Sequence, residues 1–549
     1  MTGGRLRWLT SGLLAGAGAG VLSLTSIMHS AYAFGDTPDP DIGLVMGGSG
    51  LPIPTEPYVL GANLGYISPD GWAPATGPTF DATYPGVLGT AGLVTPEGLY
   101  PLTGVNTLHF NDPSGPFTAF NVATGGTPFT IDGLPDQSTS VGQGLSILNY
   151  NILANLPAGD TSTVFGYSQS ATISGLEMGI LKAENVPQSL ANFVLIGDPS
   201  APNGGLLERF NGFETTSGQT TTDPLVLPSM GLNFDGATPA DDYTTAMYSL
   251  EYDGFTDFPR YPLNFLADLN AFLGIESLHG TYLNQAIDTV YPPADLTGGP
   301  MEQDIANAIL LPGSESLGAD SLTNYYMIDT IDGQPITAPL VSLIDGISKP
   351  LGDLLGPDLT TLINLGYNNT GDVGWSATTD SPANVATPFG LFPDVNMTSL
   401  GNELVTGAEA GFKAFEADLT NGTPLFTESS APTSTLSFAD ILSALETDFS
   451  SPEATSTTLT DIVNALSSVA STAYGTLLPT ADILNALSTS LPAYDATLFT
   501  DNLQTGDLLD AFGLPLAANT ALDTLAAGFE VEVLQDAATS ISNTLSGLF

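Results

Sequence analysis

Thr163-Val164-Phe165-Gly166-Tyr167-Ser168-Gln169-Ser170-Ala171-Thr172-Ile173 is an apolar, β-type run that passes without a loop into a segment of helical periodicity reaching Leu181. A strand feeding a helix directly is half of a strand–helix–strand unit, and such crossovers join parallel strands. Three further runs read as strands of the same kind. Ile42-Gly43-Leu44-Val45-Met46 ends in Gly47-Gly48-Ser49-Gly50, Phe193-Val194-Leu195-Ile196 ends in Gly197-Asp198-Pro199, and Ala246-Met247-Tyr248-Ser249-Leu250-Glu251-Tyr252 ends at Asp253. Apolar strands interleaved with helices predict an α/β fold whose mostly parallel sheet is covered on both faces. Chemistry in such sheets gathers at the carboxyl ends of the strands, which is where these Gly, Ser and Asp residues fall.

The 549 residues carry 58 Asp plus Glu against 7 Lys plus Arg, a formal charge of −51, and no Cys. That charge repels a phosphate backbone, so no nucleic acid partner is expected. Without Cys, disulfides, thiol nucleophiles and thiolate metal sites are ruled out. Acidic chains are often disordered, yet 42% of residues here are hydrophobic and only 12% charged, enough apolar surface for a large core. Arg5 and Arg7 precede an apolar run from Trp8 to about Ile27, and Ala31-Tyr32-Ala33 supplies small residues at a cleavage site. A signal peptide over residues 1–33 is expected, giving a secreted or cell-envelope protein; an uncleaved membrane anchor is the alternative for an apolar run of about 20 residues. Residues 34–397 then read as the α/β domain. From 398 to 549 the texture changes to Ser, Thr, Ala, Leu and Asp, with Ala439-Asp440-Ile441-Leu442-Ser443-Ala444-Leu445 echoed from Thr460 to Leu466 and from Ala481 to Leu487. Each echo has the spacing of a short amphipathic helix with Asp in its first turn, so the region reads as small helical repeats or a loosely ordered tail. It holds no catalytic group set and is expected to serve spacing, docking or surface association.

The strand-to-helix turn Gly166-Tyr167-Ser168-Gln169-Ser170 is where serine hydrolases of the α/β type carry their nucleophile. The turn is sharp, so the residues two before and two after the serine must be small. A general base has to follow the nucleophile in such chains. Of the three His, His29 lies in the signal segment and His109 precedes Ser168, in a run that reads as a structural strand, which leaves His279 in Leu278-His279-Gly280-Thr281-Tyr282. The orienting acid belongs at a strand end between the two. Asp253 comes first, Asp257 in Thr256-Asp257-Phe258-Pro259 close behind, and Asp198 third. For the oxyanion, the donors expected are the backbone N–H of Gln169 and those of Gly48 or Ser49, where glycines permit close approach. The Gly47-Gly48-Ser49-Gly50 loop fits neither a Walker nor a dinucleotide fingerprint, and the acidic run Asp36 to Asp41 lacks EF-hand spacing, so no cofactor and no metal are expected.

With these residues in view, the chain resembles the PE-PPE domain family of mycobacteria and related actinobacteria, serine α/β-hydrolases similar to cutinases. The resemblance is carried by Leu44-Val45-Met46-Gly47-Gly48-Ser49-Gly50, Gly166-Tyr167-Ser168-Gln169-Ser170, Ile196-Gly197-Asp198-Pro199, Tyr252-Asp253-Gly254-Phe255-Thr256-Asp257-Phe258-Pro259, Tyr261-Pro262-Leu263-Asn264, Leu278-His279-Gly280-Thr281-Tyr282 and Pro388-Phe389-Gly390-Leu391-Phe392-Pro393. It spans residues 40 to 395 and implies a cutinase-like α/β-hydrolase with its nucleophile on Ser168, its base on His279 and its acid on Asp253. The G-x-S-x-S variant is typical of that family. The helical PE or PPE domain that often precedes the hydrolase is replaced here by the signal-like segment, which implies the general secretory route.

The expected function is an exported serine esterase or lipase-type hydrolase of acyl esters. The alternatives are an acyltransferase that moves fatty acyl groups onto envelope glycolipids such as acyl-trehalose, and a non-catalytic cell-surface association protein on the same scaffold. The partners expected are an acyl-ester or glycolipid substrate and the cell envelope; the sequence does not fix the oligomeric state. Leu340-Val341-Ser342-Leu343-Ile344 and the stretch from Leu351 to Leu365 have the composition of a lid or acyl-chain wall, a pattern that more often marks plain core.

Overall fold

The computed structural model describes residues 42–67, 90–99, 140–155, 161–211, 224–283, 302–367, 382–426 and 456–546, together with 69, 86–87 and 299–300. The signal-like segment 1–33, the acidic run 36–41, His109 and the first repeat unit at 439–445 lie outside the described residues. Strands among those described are β1 (Ile42–Val45), β2 (Gly86–Val87), β3 (Thr90–Gly92), β4 (Ser162–Tyr167), β5 (Ala191–Ile196), β6 (Val226–Leu227), β7 (Leu232–Asn233), β8 (Thr244–Leu250), β9 (Ile309–Leu310) and β10 (Thr323–Ile328), with a further two-stranded hairpin of Thr330–Ile331 and Gln334–Pro335. Eight of these form one sheet in the order β2-β3-β1-β4-β5-β8-β10-β9, while β6 and β7 pair as a separate hairpin. The sheet is parallel from β3 through β10, and only its edge strands β2 and β9 are antiparallel to their neighbours.

The described helices that matter for the site are α1 (Glu56–Ala62), α2 (Ser140–Asn155), α3 (Gln169–Ala183), α4 (Phe265–Ser277), α5 (Pro339–Ile347), α6 (Lys349–Asn364), α7 (Met397–Asn421), α8 (Ser456–Asn485), α9 (Leu491–Thr505) and α10 (Leu508–Ser546). The two-residue period of the strands decides which helices lie where. Val164, Phe193, Leu195 and Met247 point to one face, against Leu145 and Leu148 of α2 and Ile173 and Met178 of α3. Phe165, Val194, Ile196 and Tyr248 point to the other, against Val59 of α1, Ala267 of α4, Leu340 and Val341 of α5 and Ile363 of α6. Each such side chain, taken fully from water, contributes about 1.5–3 kcal/mol. These alternating faces give the doubly covered, mostly parallel sheet that the strand runs predicted, consistent with an α/β-hydrolase-like fold.

A third apolar cluster joins the C-terminal helices to this sandwich. Leu206, Phe210, Phe258 and Phe389 pack with Leu491, Tyr494 and Leu498 of α9 and with Leu514, Ala517, Ala521 and Leu525 of α10. The second repeat unit and most of the third fall on α8 rather than on separate short helices, and Pro479 between them is accommodated within it. The third unit runs into a π-helical turn at Ala486–Ser490 that leads to α9. No helix among the described residues is long and apolar enough to cross a membrane.

Candidate active site

β4 ends at Tyr167, and Ser168 turns the chain into α3 with φ 58° and ψ −120°, a conformation that costs a side-chain-bearing residue about 1–3 kcal/mol. The surroundings hold it there. Ser168 N–H donates to the Ile196 carbonyl at 3.1 Å, and Ala171 N–H donates to the Ser168 carbonyl at 2.9 Å. The Ser170 hydroxyl accepts from Tyr167 N–H at 2.8 Å and donates to the Tyr167 carbonyl at 3.0 Å, which gives the second small position of the turn a reason to be serine. Gly166 has no choice either, since a Cβ there would sit 2.6 Å from the Ser170 carbonyl oxygen.

His279 and Asp253 arrive from two other elements. β8 ends at Leu250, Tyr252 takes φ 66°, and Asp253 follows in a turn closed by its N–H on the Leu250 carbonyl at 3.1 Å. His279 stands in a one-turn 3₁₀ segment directly after α4. His279 Nδ1 lies 2.8 Å from Asp253 Oδ2, and His279 Nε2 lies 2.8 Å from Ser168 Oγ. An ionised carboxylate only accepts, so Nδ1 carries the proton and Nε2 is left to accept from the serine hydroxyl. Asp253 is fully buried, while Ser168 and His279 keep 6% and 8% of their surface, and Ser168 lines the cavity described below.

Several groups that motif reading did not reach fix this geometry. The Tyr282 hydroxyl donates to Asp253 Oδ2 at 2.8 Å and accepts from Leu250 N–H at 2.8 Å, and Phe255 N–H donates to Asp253 Oδ1 at 3.1 Å. The Tyr167 hydroxyl donates to the His279 carbonyl at 2.6 Å, and the imidazole is flanked by the Tyr167 and Phe255 rings, with centroids 5.2 and 4.6 Å away. Only the position of Tyr282, three residues after His279, offered a local hint. Asp257 is not brought to His279. Its Oδ2 accepts from Tyr252 N–H at 2.9 Å, and burial pushes its carboxyl up to about 7. Asp198 accepts from Thr238 and from Ser200 N–H, and burial raises it to about 6.

Against Tyr167 and Ser168 lies the loop after β1. A Cβ on Gly48 would sit 2.6 Å from the Tyr167 ring and 3.3 Å from Ser168 Cβ, so the loop approaches the serine only because this residue is glycine. Gly50 N–H donates to the carbonyl of Glu97, itself at φ 48°, at 2.7 Å. Among the described residues the Ser49 hydroxyl has no hydrogen-bond partner, and Ser49 lines the same cavity as Ser168. Gln169 is clamped through its side chain, which accepts from the Ser140 hydroxyl at 2.7 Å and donates to the Gly98 carbonyl at 2.8 Å. Its backbone N–H belongs to the first turn of α3, where no intrahelical acceptor exists.

These groups edge a cavity of about 180 Å³ that runs from Ser49, Ser168 and Gln169 past Leu207, Met230 and Phe255 to residues of the C-terminal helices. The apolar stretch 340–365 does not line it; Leu340, Val341 and Ile363 belong to the core beneath the sheet. Among the described residues, no cluster of three or more His, Cys, Asp or Glu is placed to hold a metal ion. The arrangement offers a hydroxyl hydrogen-bonded to an imidazole that a buried carboxylate holds in one tautomer, which is what proton transfer during nucleophilic attack requires.

The chain matches the PE-PPE domain over residues 91–368. It is 35% identical over 549 residues to the PPE family protein PPE28 of Mycobacterium tuberculosis, covering 96% of this chain and 70% of that protein. It is 33% identical over 358 residues to the esterase PE16 of the same species, covering 64% of this chain and 51% of that one. To the PE family protein PE3, also from Mycobacterium tuberculosis, it is 37% identical over 281 residues, 50% of this chain and 51% of that protein. The chain thus spans about half the length of the last two relatives. No solved structure matches it. The domain match and the relative named an esterase support a lipase- or esterase-like activity at the level of the family.

Proposed function

We propose, because this chain belongs to the PE-PPE domain family, that it is a serine esterase in which Ser168, His279 and Asp253 act as nucleophile, base and orienting acid. The observation that carries the reading is the pair of 2.8 Å contacts on either side of the His279 ring. In this mechanism Ser168 Oγ attacks the ester carbonyl while its proton passes to His279 Nε2. Asp253 stabilises the imidazolium that forms. The oxyanion takes hydrogen bonds from the N–H groups of Gln169 and of Gly48 or Ser49, and from the Ser49 hydroxyl. Collapse breaks the ester bond, His279 returns the proton to the departing alcohol, and the acyl group stays on Ser168. Water then attacks the acyl-enzyme with His279 again as base, releasing the acid and restoring the serine.

Acyl transfer is the second reading, favoured by the mostly apolar side chains that line the cavity beyond the polar groups at Ser168, a surface suited to a lipid-like alcohol as acceptor. Both readings share the acyl-enzyme and differ in the acceptor. Hydrolysis of p-nitrophenyl acyl esters, with products followed in the presence and absence of a sugar alcohol, tests them together. Turnover that is lost in Ser168→Ala supports the enzyme, and a transferred ester among the products supports acyl transfer. A folded protein that turns over no acyl ester from acetyl to palmitoyl overturns the reading. Export through cleavage near Ala33 is part of the same proposal, and N-terminal sequencing of the mature protein checks it.

A further inference from the structure

Resting on the reading of Ser168 as the acylated residue, we infer that the C-terminal helices are part of the substrate site: they form the far wall of an acyl-chain channel and make the enzyme prefer medium to long acyl chains. The cavity that begins at Ser168 ends against Ile483 of α8, Leu487 of the π-helical turn, and Leu522, Leu525, Ala526 and Phe529 of α10. Part of these helices' apolar surface closes on the domain and on one another, at Leu498, Leu514 and Ala517, while another part faces the cavity; π-helical turns of this kind occur frequently at functional sites. Polar groups concentrate at the serine end, with Asn233 and Asp235 as the exceptions along the channel.

The wall is tied to the catalytic machinery by specific contacts. The Ser229 hydroxyl, in the tip of the β6–β7 hairpin, donates to the Asp482 carbonyl of α8 at 2.9 Å. α10 lies directly on α4, since a Cβ on Gly528 would sit 2.4 Å from the Phe272 ring, and Phe272 meets Phe529 edge to face at 5.5 Å. α4 is the helix that leads into His279. The docking of α10 and the placement of the base therefore share one helix.

The size of the cavity sets the expected chain length. An apolar cavity of about 150 Å³ accepts a benzene-sized ligand, so about 180 Å³ encloses at least about six carbons, with longer chains continuing through the open end. Each methylene moved from water into this wall contributes about fourfold in kcat/KM. The preference is expected to climb from acetyl to about octanoyl esters.

The test is the octanoyl-to-acetyl ratio of kcat/KM for p-nitrophenyl esters. Ala526→Phe fills the far end, displaces about three methylenes and lowers that ratio by about 60-fold. Leu487→Ala, which removes atoms, shifts the optimum to longer chains. Leu484→Phe, on the exposed side of α8 and away from the cavity, leaves the ratio as it is. A ratio for Ala526→Phe within twofold of the wild type, an optimum unmoved by Leu487→Ala, or a wild type that does not favour octanoyl over acetyl overturns the inference while leaving the esterase reading in place. A folded wild type that turns over neither ester overturns both, and that outcome is separated from the others by the absence of any acetyl ester turnover.

Discussion

Asp253→Asn removes one charge from a side chain that uses both of its oxygens. Oδ2 accepts from His279 Nδ1 and from the Tyr282 hydroxyl, each at 2.8 Å, and Oδ1 accepts from Phe255 N–H at 3.1 Å. An amide has one oxygen to offer. With that oxygen toward Phe255, the NH₂ faces Nδ1, and the imidazole moves its proton to Nε2, where it no longer accepts from Ser168. With the oxygen toward His279, the NH₂ meets the Phe255 N–H, a buried donor against a donor, at a cost of about 1–3 kcal/mol. Either way the imidazolium loses its counter-charge. The expected fall in kcat is about 10³–10⁴, or roughly 4–5.5 kcal/mol in the barrier. Asp257→Asn is the paired variant: its amide oxygen still accepts from Tyr252 N–H, and it replaces a carboxyl that burial already pushes up to about 7. Its kcat should stay within about fivefold of the wild type, the difference of one ordinary hydrogen bond. Steady-state hydrolysis of a p-nitrophenyl octanoate, on proteins whose circular dichroism and melting match the wild type, decides it. An active Asp253→Asn beside an inactive Asp257→Asn would refute the assignment.

Tyr282→Phe removes the donor to Asp253 and the acceptor of Leu250 N–H. It should lower kcat about tenfold and cost about 1–3 kcal/mol in a denaturant melt; no change in either measurement contradicts the positioning role. Gly48→Ala puts a methyl 2.6 Å from the Tyr167 ring, pushes the loop off Ser168, and is expected to reduce kcat by about 10²–10³ with KM little changed. The docking of α10 should depend on pH. Glu532 is raised to about 8, first by burial and then by the neighbouring Glu276, which burial also raises, and Asp536 adds to both. Carboxyls whose docked pKa exceeds the ordinary one favour docking fully below about 4.5, and that contribution is lost as pH rises toward about 8. Hydrogen exchange in α10, corrected for intrinsic rates, should therefore quicken from pH 5 to pH 8, and Glu532→Gln should flatten the trend.

What could be read from the chain beforehand follows the range of the forces involved. The strand runs and the turn at Ser168 obey local rules: a strand-to-helix junction at Gly166-Tyr167-Ser168 tolerates only small neighbours, and the chain shows them. His279 was singled out by the scarcity of histidine. The choice between Asp253 and Asp257 was not available locally, because both follow β8 within a few residues and what separates them is the positive φ of Tyr252, which turns the first toward His279 and leaves the second holding the turn. The bonds of Tyr282 and Tyr167 to the site cross 29 and 112 residues, beyond the reach of motif spacing. The C-terminal region was read as lying apart from the chemistry because Ile483, Ala486 and Leu487 have the spacing of any amphipathic helix. An apolar wall carries no chemical signature in sequence, and only packing tells it from core. The same ambiguity holds at 340–365, where the pattern fits a lining or core, and packing shows Leu340 and Val341 to be core.

The central claim is that Ser168 is a nucleophile activated by His279, and the most direct measurement is covalent trapping with a fluorophosphonate followed by peptide mapping of the full chain. The account predicts a single adduct, on Ser168, whose formation slows at least about 10²-fold in His279→Ala. A folded wild-type protein that takes up no label, or takes it up on another residue at the same rate with or without His279, would contradict it.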